Sequence, residues 1–404
     1  LAGQFYPDRT FTWKNKPGVW HQEHGRRFLT SWLSVRAKYG FSEWIAPGYY
    51  NEDFIGLFNV IDFAKDPEIA KAARAVAELA FLDLALHCFD MGARASSGRS
   101  YLEQLNDSRY ATTGPVIALS LGVPPPASFL SSAAVCYATS PSYRFPEVLN
   151  AIARPQPGEI LVRQRSGISP EEAFAEGFKP EDPYDIHVFW SQQAYTHPKV
   201  FLATLEACRR WGCNIPTRDW AGKLKELEAA GGDASKLTDT SNTALYGANV
   251  ESFRTPDYMV STAQDYRKGK MGMQQQIWLA SLGGAASVWT SHPGSDDEDW
   301  MGRPNYWVGN GVLPRAAQYR NLVLALYRIP QDDPRPLTHL RLPMAEFDEV
   351  REQAGWIFAR KGNGYIGVTS RPFMTPAERP EYAKIEKICR ALECGWICRM
   401  GRRA

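Results

Sequence analysis

The amino-acid sequence predicts an α+β protein in which helices come first and an antiparallel β-sheet follows. Residues 1–235 contain segments whose apolar residues recur with helical spacing, whereas residues 236–404 contain short runs of alternating side chains. Gly, Pro and Asn separate these runs, and Gly362-Asn363-Gly364 is typical of a hairpin turn. We therefore expect two domains, a helical domain over 1–235 and a sheet domain over 236–404.

The helix predictions rest on periodicity and on end signals. Arg26–Tyr39 has an apolar face and is followed by Gly40, and Asn51–Ala64 carries acidic residues in its first turn. Glu68–Phe89 begins directly after Pro67, and the short turn before it predicts an αα-hairpin. Further helices are predicted over Tyr143–Ala153, Pro170–Gly177, Ile186–Gln193, His197–Trp211 and Arg218–Ala230. Helical hairpins that precede a sheet indicate an incomplete (α/α) toroid joined to a β domain.

The strand predictions follow alternation and turn chemistry. The first strands are predicted over Asp257–Gln264, Gln275–Leu282 and Ala285–Thr290, and the third run ends at Ser291-His292-Pro293-Gly294. Later sheet segments are predicted over Trp300–Arg315, Asn321–Tyr327, Trp356–Ala359, Gly364–Ser370 and Trp396–Met400.

Composition narrows the class of protein. The formal net charge is +2, so no overall field favours nucleic acid, and no apolar run approaches the roughly 20 residues of a membrane helix. The seven cysteines form no metal-ligand pattern, so we expect free thiols, and their odd number favours the cytoplasm over the periplasm. The chain begins at Leu1 without Met or a signal peptide, which suggests a fragment or a processed chain.

A set of motifs distributed over most of the chain carries a family resemblance. The motifs are SEWIAPGYY and LFNVIDFAKD within Ser42–Asp66, SSGRSY at 96–101, TPDYMVSTAQDY at 255–266, QQQIW at 274–278, SHPG at 291–294, NYWVGNGVLPR at 305–315 and FDEV with GWIFARKGNGYIGV within 347–368. In this order they resemble the heparinase II/III-like and alginate-lyase-like polysaccharide lyases, and more closely a group of bacterial toroid-plus-sheet proteins. The Asn-His dipeptide that such relatives tend to carry does not occur in this sequence.

The resemblance implies β-elimination on an acidic, uronate-containing polysaccharide, with no metal or organic cofactor. Such chemistry needs a group that neutralises the uronate carboxylate, a Tyr or His that removes the C5 proton, and a Tyr or His that protonates the leaving oxygen. Arg99 and Tyr101 are the first candidates, because Gly98 lets the backbone approach a ligand and Arg grips carboxylates. Capping and packing are the alternative roles of this pair.

His292 is the third catalytic candidate, because it ends a predicted strand and can act as acid or base, although a turn role is also open. His339 is a further candidate. Aromatic, amide and imidazole groups suit sugar recognition, and structural duty is their alternative. The predicted substrate-binding residues are Trp190, Gln192, His197, Asn242, Tyr246, Trp307 and Asn310.

Two other functions remain open at this point. A glycoside hydrolase on the same scaffold would use two carboxylates, and the candidates are Glu43, Glu52 or Asp53 with Asp185 or Asp257. A non-catalytic carbohydrate-binding protein would need none of them. The acidic run Asp296–Asp299 is predicted to be a solvated loop, with a calcium site as its alternative. The sequence also leaves oligomerisation open.

Overall fold

The structure is a computed structural model that describes residues 1–90, 92–107, 110–122, 131–213, 220–238, 245–299 and 302–403. The chain forms two compact units that interleave along the sequence. The first unit comprises Leu1–Ser42, Asn59–Val76 and Gly167–Gly247, and the second comprises Glu43–Phe58, Ala77–Ser166 and Ala248–Ala404. Neither unit is one continuous segment, because the chain passes from one to the other within two helices.

The helices are mostly those that the sequence predicts. They are α1 Ala2–Phe5, α2 Gly18–Tyr39, α3 Tyr50–Phe63, α4 Pro67–Leu86, α5 Leu102–Asn106, α6 Gly114–Leu121, α7 Ser132–Thr139, α8 Glu147–Ala153, α9 Pro170–Ala175, α10 Ile186–Ser191, α11 Phe201–Trp211 and α12 Trp220–Ala229. Two helices have typical capping residues at their ends. Gly40 ends α2 with φ of 71°, and Ser169 caps α9 through a reciprocal capping box with Glu172. In the described part of the chain, no helix could span a membrane.

The strands confirm an α+β protein with antiparallel sheets. They are β1 Thr10–Phe11, β2 Lys16–Pro17, β3 Cys88–Phe89, β4 Gly92–Ala93, β5 Ile160–Ser166, β6 Ala248–Arg254, β7 Met259–Ala263, β8 Trp278–Ser281, β9 Ser287–Ser291, β10 Arg315–Tyr319, β11 Leu322–Arg328, β12 Leu337–Arg341, β13 Glu349–Gln353, β14 Trp356–Lys361, β15 Gly364–Arg371, β16 Thr375–Pro376, β17 Glu386–Arg390 and β18 Glu393–Arg402. An eight-stranded sheet has the order β16-β17-β12-β9-β8-β7-β6-β5, and a six-stranded sheet has the order β10-β11-β18-β15-β14-β13.

The two large sheets belong to the second unit and share one hydrophobic core. The eight-stranded sheet contributes Phe253, Val260 and Trp278, and the six-stranded sheet contributes Ile366 and Trp396. Because side chains alternate across a strand, each sheet turns one apolar face toward this common core. The pair of sheets is therefore a β-sandwich.

The other face of the eight-stranded sheet is buried and polar. Ser261 on β7 accepts from the Ser252 hydroxyl at 2.7 Å and from the backbone N–H of Ser96 at 3.1 Å. Arg94, only 1% exposed, donates to Asp107 at 3.2 Å. Burial of polar groups is tolerated where hydrogen bonds replace water. This layer fixes the segment that leads to Tyr101.

Some sequence predictions need correction. The predicted sheet segment Trp300–Arg315 is irregular over the described residues 302–314, and the strand begins only at Arg315. Its Gly, Pro and Asn residues form local turns instead of the regular backbone pairing of a strand.

The prediction of free cysteines is confirmed for all seven, of which Cys88, Cys389, Cys394 and Cys398 are buried.

Asp83 lies on α4 with its carboxyl group turned inward, although the residue as a whole is only half-buried. Its carboxylate accepts from the Tyr50 hydroxyl at 2.9 Å and from the Gln164 amide at 3.4 Å. Burial raises the pKa of Asp83 to about 6, and the two hydrogen bonds oppose that shift only in part. The carboxyl group of Asp83 therefore loses its proton in the folded protein as the pH rises through about 6.

We expect Asp83→Asn to stabilise the protein at pH 7 but not at about pH 4. The folded-state pKa lies above the ordinary value of 3.8, so the stability that the protonated carboxyl contributes is present below that value and is lost as pH rises through 6. The difference in unfolding free energy between wild type and variant should grow by about 2–3 kcal/mol over this window. Urea unfolding at several pH values measures it. The matched variant Asp332→Asn, at an exposed position, should show no such trend.

Candidate active site

The segment that carries Arg99 and Tyr101 is held by backbone hydrogen bonds in the second unit. Ser97 and Gln276 exchange N–H···O bonds of 3.0 and 2.9 Å, and the Ser100 N–H donates to the Gln274 carbonyl at 3.1 Å. Gly98 between them packs so closely on Trp44 that a Cβ there would lie 2.8 Å from the Trp44 backbone nitrogen. Glycine is therefore required at this position because of its packing on Trp44, whereas the sequence analysis assigned Gly98 to close approach of a ligand. The two candidate side chains stand on a fixed backbone.

A second loop, residues 43–49, delivers Glu43 and Tyr49 to the same place. Within it, Ile45 adopts φ of 45°, a left-handed conformation that is unfavourable for a β-branched residue. The Tyr50 hydroxyl accepts from the Ile45 N–H at 3.1 Å, and the Ile45 side chain is buried. Strain of this kind persists only where the surroundings impose it, and it concentrates at functional sites.

Arg99, Glu43, Tyr49, Tyr101 and Arg303 form one cluster, which we call the tyrosine pair site. Arg99 binds Glu43 with an Nη1–Oε1 distance of 2.8 Å, and its guanidinium carbon lies 3.9 Å from the Tyr49 ring centroid. The hydroxyls of Tyr49 and Tyr101 are 2.7 Å apart. The Arg303 guanidinium carbon lies 4.4 Å from the centroid of the Tyr101 ring. The site therefore presents two phenols between two cations, of which the tyrosines and Arg99 are half-buried and Arg303 is buried.

The two phenols differ in acidity. Burial acts to raise the pKa of Tyr101, but the hydrogen bond from Tyr49 and the positive charges of Arg99 and Arg303 outweigh it and bring the pKa below its ordinary value of 10. Burial, followed by the hydrogen bond to Tyr101, raises the pKa of Tyr49 to about 12. Two neighbouring groups whose pKa values are pushed apart have the properties that acid–base chemistry requires.

His292 is not part of this cluster. Its side chain is fully buried, and Nε2 donates to the Arg335 carbonyl at 3.0 Å, while Asp333 lies 3.9 Å away. Gly311 packs against the ring, since a Cβ there would lie 2.5 Å from Nδ1. Burial lowers the pKa of His292. The structure thus gives His292 the turn-supporting role that the sequence left open.

The predicted sugar-binding residues of the first unit have mostly internal partners. The Trp190 indole donates to Thr204 at 3.2 Å, and His197 Nδ1 accepts from the Lys199 N–H at 3.2 Å. Gln192 is buried, and its amide atoms have no partner among the described residues. Tyr246 is half-buried. Asn242 lies outside the described residues.

Trp307 and Asn310, in the second unit, are likewise structural. The Trp307 ring stacks on His339 with 4.8 Å between centroids. The Asn310 side chain accepts from the His292 N–H at 3.1 Å, and its backbone exchanges hydrogen bonds with Gly272. Both side chains are buried, so neither offers a free surface to a sugar.

Ser291, His339 and Glu386 form a buried hydrogen-bonded chain on neighbouring strands. Ser291 Oγ lies 2.8 Å from His339 Nε2, and His339 Nδ1 lies 2.5 Å from Glu386 Oε1, to which the Tyr306 hydroxyl donates at 2.7 Å. The order nucleophile, base, carboxylate is that of a serine hydrolase triad. However, Ser291 is only 2% exposed and the rings of Tyr306 and Trp307 pack on His339, so we interpret the chain as structural.

Two carboxylates proposed for a hydrolase have partners within the protein. Glu43, a hydrolase candidate, is paired with Arg99, and Glu52 accepts from Asn51 at 3.0 Å. The described residues contain no group of three or more His, Cys, Asp or Glu side chains arranged to hold a metal ion. Two clefts of about 670 and 710 Å³ lie in the second unit, and neither is lined by Arg99 or Tyr101.

Sequence reasoning found Arg99 and Tyr101 but not their partners Tyr49 and Arg303. Tyr49 was part of a recognised motif, and Arg303 stands in a Gly-Arg-Pro turn that the sequence assigned to a sheet segment. Comparison of the chain with protein-family models, with curated proteins and with solved structures gave no match. The geometry and chemistry of the site are therefore the observations that bear on function.

Proposed function

We propose that the protein is a polysaccharide lyase that cleaves an acidic, uronate-containing polysaccharide by β-elimination. The observation that carries this proposal is the tyrosine pair site, in which a phenol of lowered pKa lies between Arg99 and Arg303 and beside a second phenol. A strong base, a carboxylate-neutralising cation and an acid are the groups that β-elimination requires. The helical segments are proposed to form the incomplete (α/α) toroid of the lyases that the sequence resembles.

In the proposed reaction the Tyr101 phenolate takes the proton from C5 of the uronate. The electrons of the C5–H bond form the C4=C5 double bond, and the C4–O bond breaks. Tyr49, which keeps its proton because its pKa is about 12, gives that proton to the leaving glycosidic oxygen. Tyr101 then returns its proton to Tyr49 across the 2.7 Å hydrogen bond between the two hydroxyls.

The arginines act on the substrate carboxylate. A cation beside this group stabilises the negative charge that develops when C5 is deprotonated, and preorganised charge of this kind is often the largest contribution to catalysis. Arg303 stacks over Tyr101, while Glu43 holds Arg99 at the edge of the site. Tyr49, Arg99 and Tyr101 are half-buried, so part of each side chain remains accessible to a substrate.

The test is an absorbance assay on a panel of uronate polymers, with a neutral glucan as control. Elimination creates an unsaturated uronate that absorbs in the ultraviolet, and this absorbance should rise with at least one polymer and not with the glucan. New reducing ends without that absorbance would replace the proposal with a hydrolase. Binding with neither product would leave only a carbohydrate-binding protein.

The pH dependence of the reaction provides a second test. Because Tyr101 works as phenolate, the rate should rise with pH through a pKa below 10. Arg99→Gln removes a charge that favours the phenolate, so the rise should move to higher pH. Rates measured from neutral to alkaline pH show the shift, and Arg351→Gln, an exposed position on β13, should leave the profile in place. An unshifted profile in Arg99→Gln would remove Tyr101 as the titrating base.

A further inference from the structure

A basic cleft of about 710 Å³ lies on the six-stranded sheet, and none of its lining residues belongs to the tyrosine pair site. One register row crosses four adjacent strands, pairing Arg315 with Leu326, Leu326 with Gly395, and Gly395 with Arg371. Paired residues of neighbouring strands point to the same face of a sheet. Leu326 is 51% exposed, so this row lies on the face directed away from the sandwich core.

Glycine shapes the floor of this cleft. Gly395 stands between Leu326 and Arg371 in the row, and a Cβ there would lie 3.1 Å from Leu326 Cδ2. The absence of a side chain at Gly395 leaves room for the Leu326 side chain, and the row has an arginine at either end. Neighbouring strands are about 4.8 Å apart, so the row spans roughly 14 Å, which suits a short oligosaccharide better than a single sugar.

Positive charge dominates the lining. Four cationic side chains line the cleft, together with a single carboxylate, Glu393; the cations are Lys268, Arg315, Arg328 and Arg371. Asp265 pairs with Lys268 and Arg315, and Glu393 lies 3.7 Å from Arg328. Among the described residues Arg371 has no carboxylate partner, and its guanidinium carbon lies 3.8 Å from the Phe373 ring centroid. The cleft therefore has a surplus of two positive charges to offer an anion.

Aromatic side chains extend the same face beside the cleft. Trp356 and Phe358 on β14 stack with 5.9 Å between centroids, and Phe358 is 46% exposed. Gly367 on β15 pairs with Phe358 and leaves room for its ring. Ring faces of this kind stack on the C–H faces of sugars, and exposed apolar groups rimmed by charge mark binding surfaces.

We propose that this basic cleft is a second binding site for the acidic polysaccharide, separate from the site of cleavage. This inference rests on the proposed function, from which it takes the class of substrate. Arg328 and Arg371 bind carboxylates of the chain, and the adjoining aromatic rings carry its sugar faces. A second site would hold a long polymer near the catalytic site by raising its local concentration.

The experiment measures binding without cleavage, by calorimetry with alginate oligosaccharides on the Tyr101→Phe background. Adding Arg328→Gln and Arg371→Gln should weaken binding at least 10-fold at low salt, and added salt should narrow that difference. The matched pair Lys71→Gln and Lys225→Gln removes the same charge from exposed helix positions and should change the affinity less than 2-fold. Circular dichroism verifies that each variant is folded.

Two outcomes would overturn the second site: an unchanged affinity in the Arg328/Arg371 variant, or an equal loss in the lysine control, which would indicate a diffuse charge effect. A different measurement, the formation of the unsaturated product, shows whether the proposed function fails. With wild-type Tyr101 restored, the Arg328/Arg371 variant should still generate the unsaturated product from short substrates. Calorimetric binding in the cleft without any ultraviolet product from wild type would retain the cleft and remove the lyase.

Discussion

Replacing Tyr101 with Phe is expected to lower the turnover number for uronate elimination about 10³-fold while leaving the fold unchanged. In the proposed mechanism this variant loses the phenolate that removes the C5 proton, and general base catalysis contributes on this scale. The ring, its packing under Arg303 and the backbone N–H bond to Gln104 of 3.2 Å all remain. Initial rates from the ultraviolet absorbance of the product, together with the urea midpoint, separate chemistry from folding.

The control for this variant is Tyr365→Phe, which removes a phenol from an exposed position on β15. Its rate should equal that of wild type. The rate of Tyr49→Phe should fall between those of the two other variants, because it removes the proposed acid and a hydrogen bond that favours the Tyr101 phenolate. Full activity in Tyr101→Phe would show that elimination, if it occurs, uses another base.

Replacing Glu386 with Ala should produce the largest loss of stability among the variants considered, about 3–5 kcal/mol. The carboxylate accepts from Tyr306 and lies 2.5 Å from His339, and all three side chains are buried. Its removal leaves the Tyr306 hydroxyl and the His339 ring buried without this hydrogen-bond partner. Removing one partner of a buried pair typically lowers the free energy of unfolding by about 3–5 kcal/mol. Urea unfolding at neutral pH measures the change.

An exposed carboxylate provides the comparison. Glu352 binds Lys387, but its side chain is 56% exposed, so Glu352→Ala should cost less than about 1 kcal/mol. Similar losses in both variants would contradict the view that the Ser291–His339–Glu386 chain supports the core. A Glu386→Ala variant that is stable but inactive would instead return that chain to the list of catalytic candidates.

Local pattern predicted most of the secondary structure because periodicity and end signals are local properties. Helix α3 and strand β15 lie within one or two residues of their predicted bounds. Strand β5 was missed, since ILVRQRS carries arginines where a buried strand would carry apolar residues. It forms an edge of the eight-stranded sheet, and its one strand partner in the described part of the chain is the distant β6. Such long-range pairing leaves no signal in a short window.

Only some of the residues of the candidate site could be predicted from the sequence. Gly98, Arg99 and Tyr101 stand together in sequence, so one loop identified them. Tyr49 and Arg303 join them only through folding, one by way of the strained loop at Ile45 and the other from a Gly-Arg-Pro turn. His292 shows the opposite case, because a histidine after a strand looks the same in sequence whether it faces a ligand or the interior.

The outermost strands of the sandwich have a consequence for how molecules of this protein behave toward one another. The eight-stranded sheet ends in β5, which carries two arginines, and in the two-residue β16, which contains Pro376. The six-stranded sheet ends on one side in the charged strand β13. An unpaired strand is a template for stacking onto a second copy, and short length, proline and like charges all hinder that stacking. These edge strands should therefore hinder the formation of fibrous aggregates in concentrated solution, because they limit backbone pairing between molecules.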